Sequence, residues 1–228
     1  MFSTDADVSG ILPPQYGDLI SRPVETESVA MTVSTIVRIA AHELVVPIVA
    51  SDAAAAWYAE GVELAAADPV LAELTITPAK VAGLTSITSE LADDSSPAAA
   101  ELVGAGLARS IADRLDAAFF AGLPAPAPAG LATLAGVNTV TAGAAWADVD
   151  PFVEAVFAAE GVGARLTSFV ANPADALALA QLKESTGSAR PLLEPDPTAP
   201  ARRSIAGVPL LTSPHVAAGV VWGVPQAR

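Results

Sequence analysis

The chain has 228 residues, enough for one large domain or two small ones with a real core. Its formal net charge of −14, with only 11 basic residues, excludes a surface that grips nucleic acid, which needs clustered Lys and Arg to displace counterions. The absence of cysteine removes disulfides, thiolate zinc sites and cysteine nucleophiles together.

The first residues, "MFSTDADVSG", are acidic and do not read as a secretory signal, and no window reaches the ~18 continuous apolar residues of a membrane span. Residues 1 to 30 show little helical or strand period. The Pro-Pro pair in "GILPPQYGDLI" disfavours helix and predicts an extended arm, with Ile11, Leu12, Tyr16, Leu19 and Ile20 available to lie on a surface. Residues 28 to 49, rich in β-branched side chains, fit either a strand or a buried helix. The alternation Glu73-Leu74-Thr75-Ile76-Thr77 predicts a strand, and a second β-like run from Lys80 through Thr88 predicts its partner, joined through Thr77-Pro78 or a nearby bend.

The clearest helix follows. Ser96 suits the N-cap, Pro97 the first helical position, and Asp93 and Asp94 the electropositive helix start. Gly122 suits the C′ position, and Pro124 closes the exit. Helix 97–121 makes a rod of roughly 36 Å. Leu107, Ile111, Leu115, Ala118 and Phe119 predict its buried stripe, with Arg109, Asp113 and Asp116 largely off it. Beyond the Pro-Ala connector 123–130, "WADVDPFVEAVFAAEG" predicts a helix capped near Asp148 or Asp150. "ARLTSFVANP" predicts a strand ending at Asn172-Pro173, and "ADALALAQLKES" a short helix carrying Leu177, Leu179 and Leu182. Residues 185 to 204 read as a polar, Pro-rich loop, and two short strands close the chain.

The chemistry-bearing patterns were weighed in turn. Val103-Gly104-Ala105-Gly106 resembles a dinucleotide-binding turn. It lacks a preceding strand, has Arg109 where the third glycine belongs, and lies inside a helix rather than at its start, so no free amides face a phosphate. Glycine within a helix costs about 1 kcal/mol against alanine, so a neighbouring chain or strand is expected to cross closely at Gly104 and Gly106. His42 and His215 have no second metal ligand at helical spacing. Ser204 or Ser213 with His215 would be an arbitrary nucleophile pair without a Gly-x-Ser-x-Gly elbow. Arg202-Arg203 fits a solvated loop, Lys80 a solvated strand lysine, and the scattered carboxylates single out no acid–base pair. No catalytic, cofactor-binding or metal-binding residue is selected.

Several short segments recur in a fixed order: Trp57 to Gly61, Pro78 to Lys80, Glu90 to Ser95 before the long helix, Asn172-Pro173 after a strand, and Gly207 to Ser213 near the end. In that order and spacing the chain resembles the major capsid protein family of tailed bacteriophages, with the HK-97-like fold. The resemblance implies an α+β architecture: an N-terminal arm (1–30), a peripheral domain (31–49 and 86–122) containing spine helix 97–121, an extended β-hairpin loop (50–85) and an axial domain (123–228) whose 185–204 loop would reach the capsomer centre. Family members continue past the strand ending at Gly223, so the axial domain is expected to be C-terminally truncated. A separate or removed segment would supply the scaffold function.

The implied role is that of a non-enzymatic subunit that assembles into the icosahedral head of a phage or prophage in the host bacterial cytoplasm, with no cofactor. Implied partners are further copies of itself in hexamers and pentamers, scaffolding and portal proteins, decoration proteins, and packaged DNA enclosed without sequence-specific binding; no membrane is implied. The lysine–asparagine cross-link of some family members is not carried over, because the loop has no lysine before Lys80. The alternatives are an encapsulin-like nanocompartment shell and a nucleotide-dependent enzyme using residues 103–109.

Overall fold

A computed structural model describes residues 23–39, 42–51, 55–61, 68–86, 98–143, 145–185, 187–193 and 203–226. The chain divides into two units: residues 37–80, and the remainder. Ser96, Pro97, Asp93 and Asp94, and the arm before residue 23, lie outside the described residues.

The larger unit is organised around strand β3 (Leu166–Ala171), whose last four residues are all buried. It lies inside a mixed sheet that also holds β4 (Arg203–Ile205), β5 (Val208–Thr212) and β6 (Val221–Pro225), in the order β4-β5-β3-β6. β5 runs parallel to β3, while β6 pairs with β3 and β4 with β5 antiparallel. Alternation along β3 sends successive side chains to opposite faces. Phe169 and Ala171 join Phe152 of helix α3 (Asp150–Gly161) and Ala176 and Leu179 of helix α4 (Pro173–Gln181). Val170 faces the other way, into a cluster with Ala30, Phe120 and Val216.

The start of α4 follows from its sequence. The Asn172 side chain accepts from the Ala174 amide and donates to the Val216 carbonyl, and Pro173 occupies the first turn. Asp175, also in that turn, accepts from Trp146 Nε1 at 2.9 Å and from the Gly219 amide at 2.8 Å, tying two loops to the helix. At α3 the Asp148 carboxylate accepts from the Asp150 amide, although Val149 is the N-cap residue.

The long helix α2 (Ala98–Ala121) ends at Gly122, with φ of 68°, as its C′ glycine predicts. Its buried stripe is not the one read from the sequence. Of the five expected residues only Ala118 is buried; Leu107, Ile111, Leu115 and Phe119 are half-buried, whereas Ala108, Ala112, Asp116 and Phe120, each one residue later, are buried. Asp116 is only 6% exposed. Small alanines let neighbouring chain approach closely, and Asp116 is paid for by hydrogen bonds to helix α1 (Val29–Val33).

Three further expectations change. Residues 28–49 hold both candidate structures, α1 and strand β1 (Leu44–Ser51). The partner of β2 (Val70–Ile76) is β1, and residues 77–86 form no strand, so the hairpin does not turn at Thr77-Pro78. The 185–204 stretch ends in strand β4, which turns directly into β5 through Ala206-Gly207, both with positive φ. That short strand was hidden by its Arg203-Ser204 start. Lys183 and Pro191 also form an isolated bridge.

Candidate functional site

No catalytic constellation forms among the described residues. Gly104 and Gly106 lie within α2, where amides serve the helix, so the nucleotide-turn reading fails. A Cβ at either glycine would meet nothing within 4 Å, so none of the described residues of this chain makes the expected close crossing there. Close approaches occur at two other glycines. A Cβ on Gly83 would lie 2.5 Å from Leu107 Cδ1, and one on Gly130 would collide with the Ala118 carbonyl oxygen.

His215 Nε2 is 2.8 Å from Asp113 Oδ1, while the Ser213 hydroxyl accepts from the His215 backbone amide, so Ser213 and His215 do not make a nucleophile–base pair. His42 is exposed, and no cluster of three or more metal-ligating side chains occurs among the described residues. Lys80 and Arg203 are exposed, as solvated residues should be; Arg202 lies outside the described residues. No helix among the described residues is long and apolar enough to cross a membrane.

What the chain does present is unsheathed apolar surface. The register of the 37–80 unit pairs Leu44 with Ile76, Val46 with Leu74 and Ile48 with Ala72. Directly opposed residues share a face, so one face of this ribbon is apolar over these three pairs. The other carries Val45 with Thr75, Pro47 with Glu73 and Val49 with Leu71. Every residue of β2 is exposed. An isolated two-stranded ribbon is marginally stable in water, and contiguous exposed apolar surface marks an interaction site. Trp57 is fully exposed and Tyr58 partly so. The sequence showed the alternation in β2. It could not show that β1 supplies the matching apolar partners, because that depends on a register across a long connection.

In the larger unit, a second arrangement escaped the sequence reading. The Asp116 carboxylate accepts from Ser28 Oγ at 2.6 Å, from the Ala30 amide at 2.9 Å and from the Val29 amide at 3.0 Å. Ser28 Oγ in turn accepts from the Met31 amide, so the free amides that open α1 are satisfied from two sides. The available signal was an acidic residue in register with the alanines at 108 and 112.

The sequence model of the phage capsid family matches residues 9–223. The chain belongs to the phage capsid family. It is therefore a structural shell protein, the major capsid protein of a phage head, and not an enzyme. Its mixed α+β fold is that of HK-97-like capsid proteins.

Solved capsid structures share that fold. The capsid of an empty GTA particle superimposes with a TM-score of 0.67 at 24% identity, over 96% of this chain and 74% of that one. A structure from Microbacterium phage Oxtober96 gives 0.64 at 19% identity, over 81% and 64%. One from Mycobacterium phage Bobi gives 0.61 at 18% identity, over 82% and 64%. No curated protein sequence is significantly similar. A capsid protein works by assembling with copies of itself in the virion shell.

Proposed function

We propose that this capsid protein builds an icosahedral head from hexamers and pentamers, and that the apolar ribbon face is the contact that joins one subunit to the next. In this reading the 37–80 unit, where β1 and β2 pair, is the extended loop expected at 50–85; the N-terminal arm precedes α1, the peripheral domain holds α1 and the spine helix, and the axial domain runs from residue 123 onward. The single observation carrying the reading is that Leu44, Val46, Ile48, Ala72, Leu74 and Ile76 share one face, on which Ile48, Ala72, Leu74 and Ile76 are exposed and Leu44 and Val46 half-buried. A ribbon with no core of its own gains its burial from a neighbouring copy, and repeated heterologous contacts of this kind close into rings and then a shell. Assembly takes place in the host bacterial cytoplasm with scaffolding and portal proteins, and decoration proteins join the finished surface. The formal charge of −14 fits a container that encloses DNA without adhering to it.

The test is assembly of the full-length gene product, followed by light scattering and negative-stain microscopy. Hexamers, pentamers or closed shells are expected. Leu74→Glu, which puts a charge on the apolar face, is expected to abolish them while leaving the far-UV circular dichroism of the subunit unchanged. A product that stays monomeric at high concentration with scaffold present, or a Leu74→Glu variant that assembles normally, would sink the reading.

A further inference from the structure

Segment 28–36 leads from the N-terminal region into the 37–80 unit, and residues 81–86 lead out of it. Both abut α2: α1 through Asp116, and Gly83 against Leu107. The contact at Gly83 is with the end of a flexible side chain. The one at Asp116 is a set of three directed hydrogen bonds to a buried carboxylate, 86 to 88 positions away in sequence. Such bonds fix orientation as well as proximity, and those to an ionised acceptor are the stronger kind.

We propose that Asp116 is a positioning residue for assembly: it latches α1, in the segment that leads into the ribbon, to the spine helix. The latch is specific in its chemistry. The two carboxylate oxygens face only donors: Ser28 Oγ–H and the Ala30 amide on Oδ1, the Val29 amide on Oδ2. An asparagine has the same shape, yet whichever way it turns its NH2 group faces at least one of those donors. The helix it caps is five residues long and has no stability without its partner. With the latch closed, α1 is held and Ala30 seats in the cluster with Phe120, Val170 and Val216. With it open, α1 loses this anchor while the sheet keeps its own hydrogen bonds.

The consequence for shell closure rests on the assembly reading above; the latch itself does not. Hydrogen exchange on the isolated subunit separates them. Asp116→Asn is expected to speed exchange at Val29 and Ala30 by about tenfold or more, with β3 and β5 unchanged. Ser28→Ala, which removes one of the three bonds and the Met31 acceptor, is expected to produce a smaller rise confined to residues 24–33, and keeps the test open if Asp116→Asn does not fold. Unchanged exchange at 29–30 in the Asp116→Asn variant, or a Ser28→Ala rise spread equally over β3 and β5, overturns the latch. In assembly, Asp116→Asn is expected to give particles of mixed size where the unsubstituted protein gives one; faster exchange with unaltered particles overturns the positioning role. Failure of the unsubstituted protein to assemble removes the shell reading and leaves the exchange result to decide the latch.

Discussion

His215 Nε2 and Asp113 Oδ1 meet at 2.8 Å across 102 positions of sequence, fastening the β5–β6 connection to the spine helix. Asp113 and Asp116 lie one turn apart on that helix, and the two carboxylates hold different parts of the chain. Their surroundings differ. The Asp113 side chain is 60% exposed, whereas Asp116 as a residue is 6% exposed. Replacing His215 by Ala, or Asp113 by Asn, removes one hydrogen bond that water can reach from the Asp113 side and is therefore expected to cost about 1 kcal/mol. Asp116→Ala leaves three donors unsatisfied in the interior and is expected to cost about 3 kcal/mol or more. Urea denaturation of the three variants gives the ranking; a larger loss at position 215 than at 116 would contradict it.

The glycines of the spine helix and its exit should respond in opposite directions to the same substitution. Gly104→Ala and Gly106→Ala meet open space inside a helix and are each expected to stabilise the isolated subunit by about 0.5–1 kcal/mol. Gly130 has a φ of −96°, which alanine tolerates, yet a Cβ there would fall on the Ala118 carbonyl oxygen and within 2.8 Å of both the Phe119 carbonyl oxygen and the Gly122 amide nitrogen. Backbone cannot swing aside as a side-chain tip can, so Gly130→Ala is expected to cost about 3 kcal/mol. Melting temperatures that rise for the first two and fall sharply for the third would bear this out.

Phe120 and Phe157 offer a similar contrast between buried and exposed aromatic rings. Phe120 is 2% exposed, packs edge-to-face on Phe119 and joins α1, the spine helix and the sheet in one cluster. Phe120→Ala is expected to cost about 3–5 kcal/mol of subunit stability. Phe157 lies open on α3, and its replacement by Ala is expected to change the isolated subunit by less than about 0.5 kcal/mol. Chemical denaturation measures both.

The turn between β4 and β5 contains a substitution that should improve the protein. Ala206 has a φ of 51°, a left-handed conformation that penalises its Cβ, and Gly207 follows at 78°. Two positive-φ residues joining paired strands make a type I′ hairpin turn, for which Asn-Gly is the preferred sequence. Ala206→Asn is expected to raise stability by about 1 kcal/mol, seen as a shifted denaturation midpoint with an unchanged slope.

The sequence showed most where local chemistry decides structure. The Gly122 stop, Pro151 in the first turn of α3, and Asn172-Pro173 at the start of α4 each act through their own backbone and nearest neighbours. It misled where partners are distant. Leu107, Ile111 and Leu115 look like a core stripe because they are large, but burial on this helix goes to Ala108 and Ala112, which let other segments come close. Asp116 looks like a solvent residue because the amides of Val29 and Ala30 that satisfy it lie far back along the chain. The alternation of β2 is legible in the sequence, but its partner is not, because β1 lies across a long connection while the β-like run after Pro78 is nearer. The ribbon face that carries the proposed contact became visible only once that register was known.

The ribbon also bears on how accurately a shell can be built. A strand pair without an interior spends part of its docking energy on its own ordering, so each new contact is weaker than its apolar area suggests. Weak contacts release quickly, and affinity differences of this kind reside mostly in the dissociation rate. A subunit that lands in the wrong place therefore leaves before its neighbours enclose it, and only positions supported by several contacts at once persist. In this protein the exposed face of Ile48, Leu74 and Ile76 would act as a proofreading surface as much as an adhesive one.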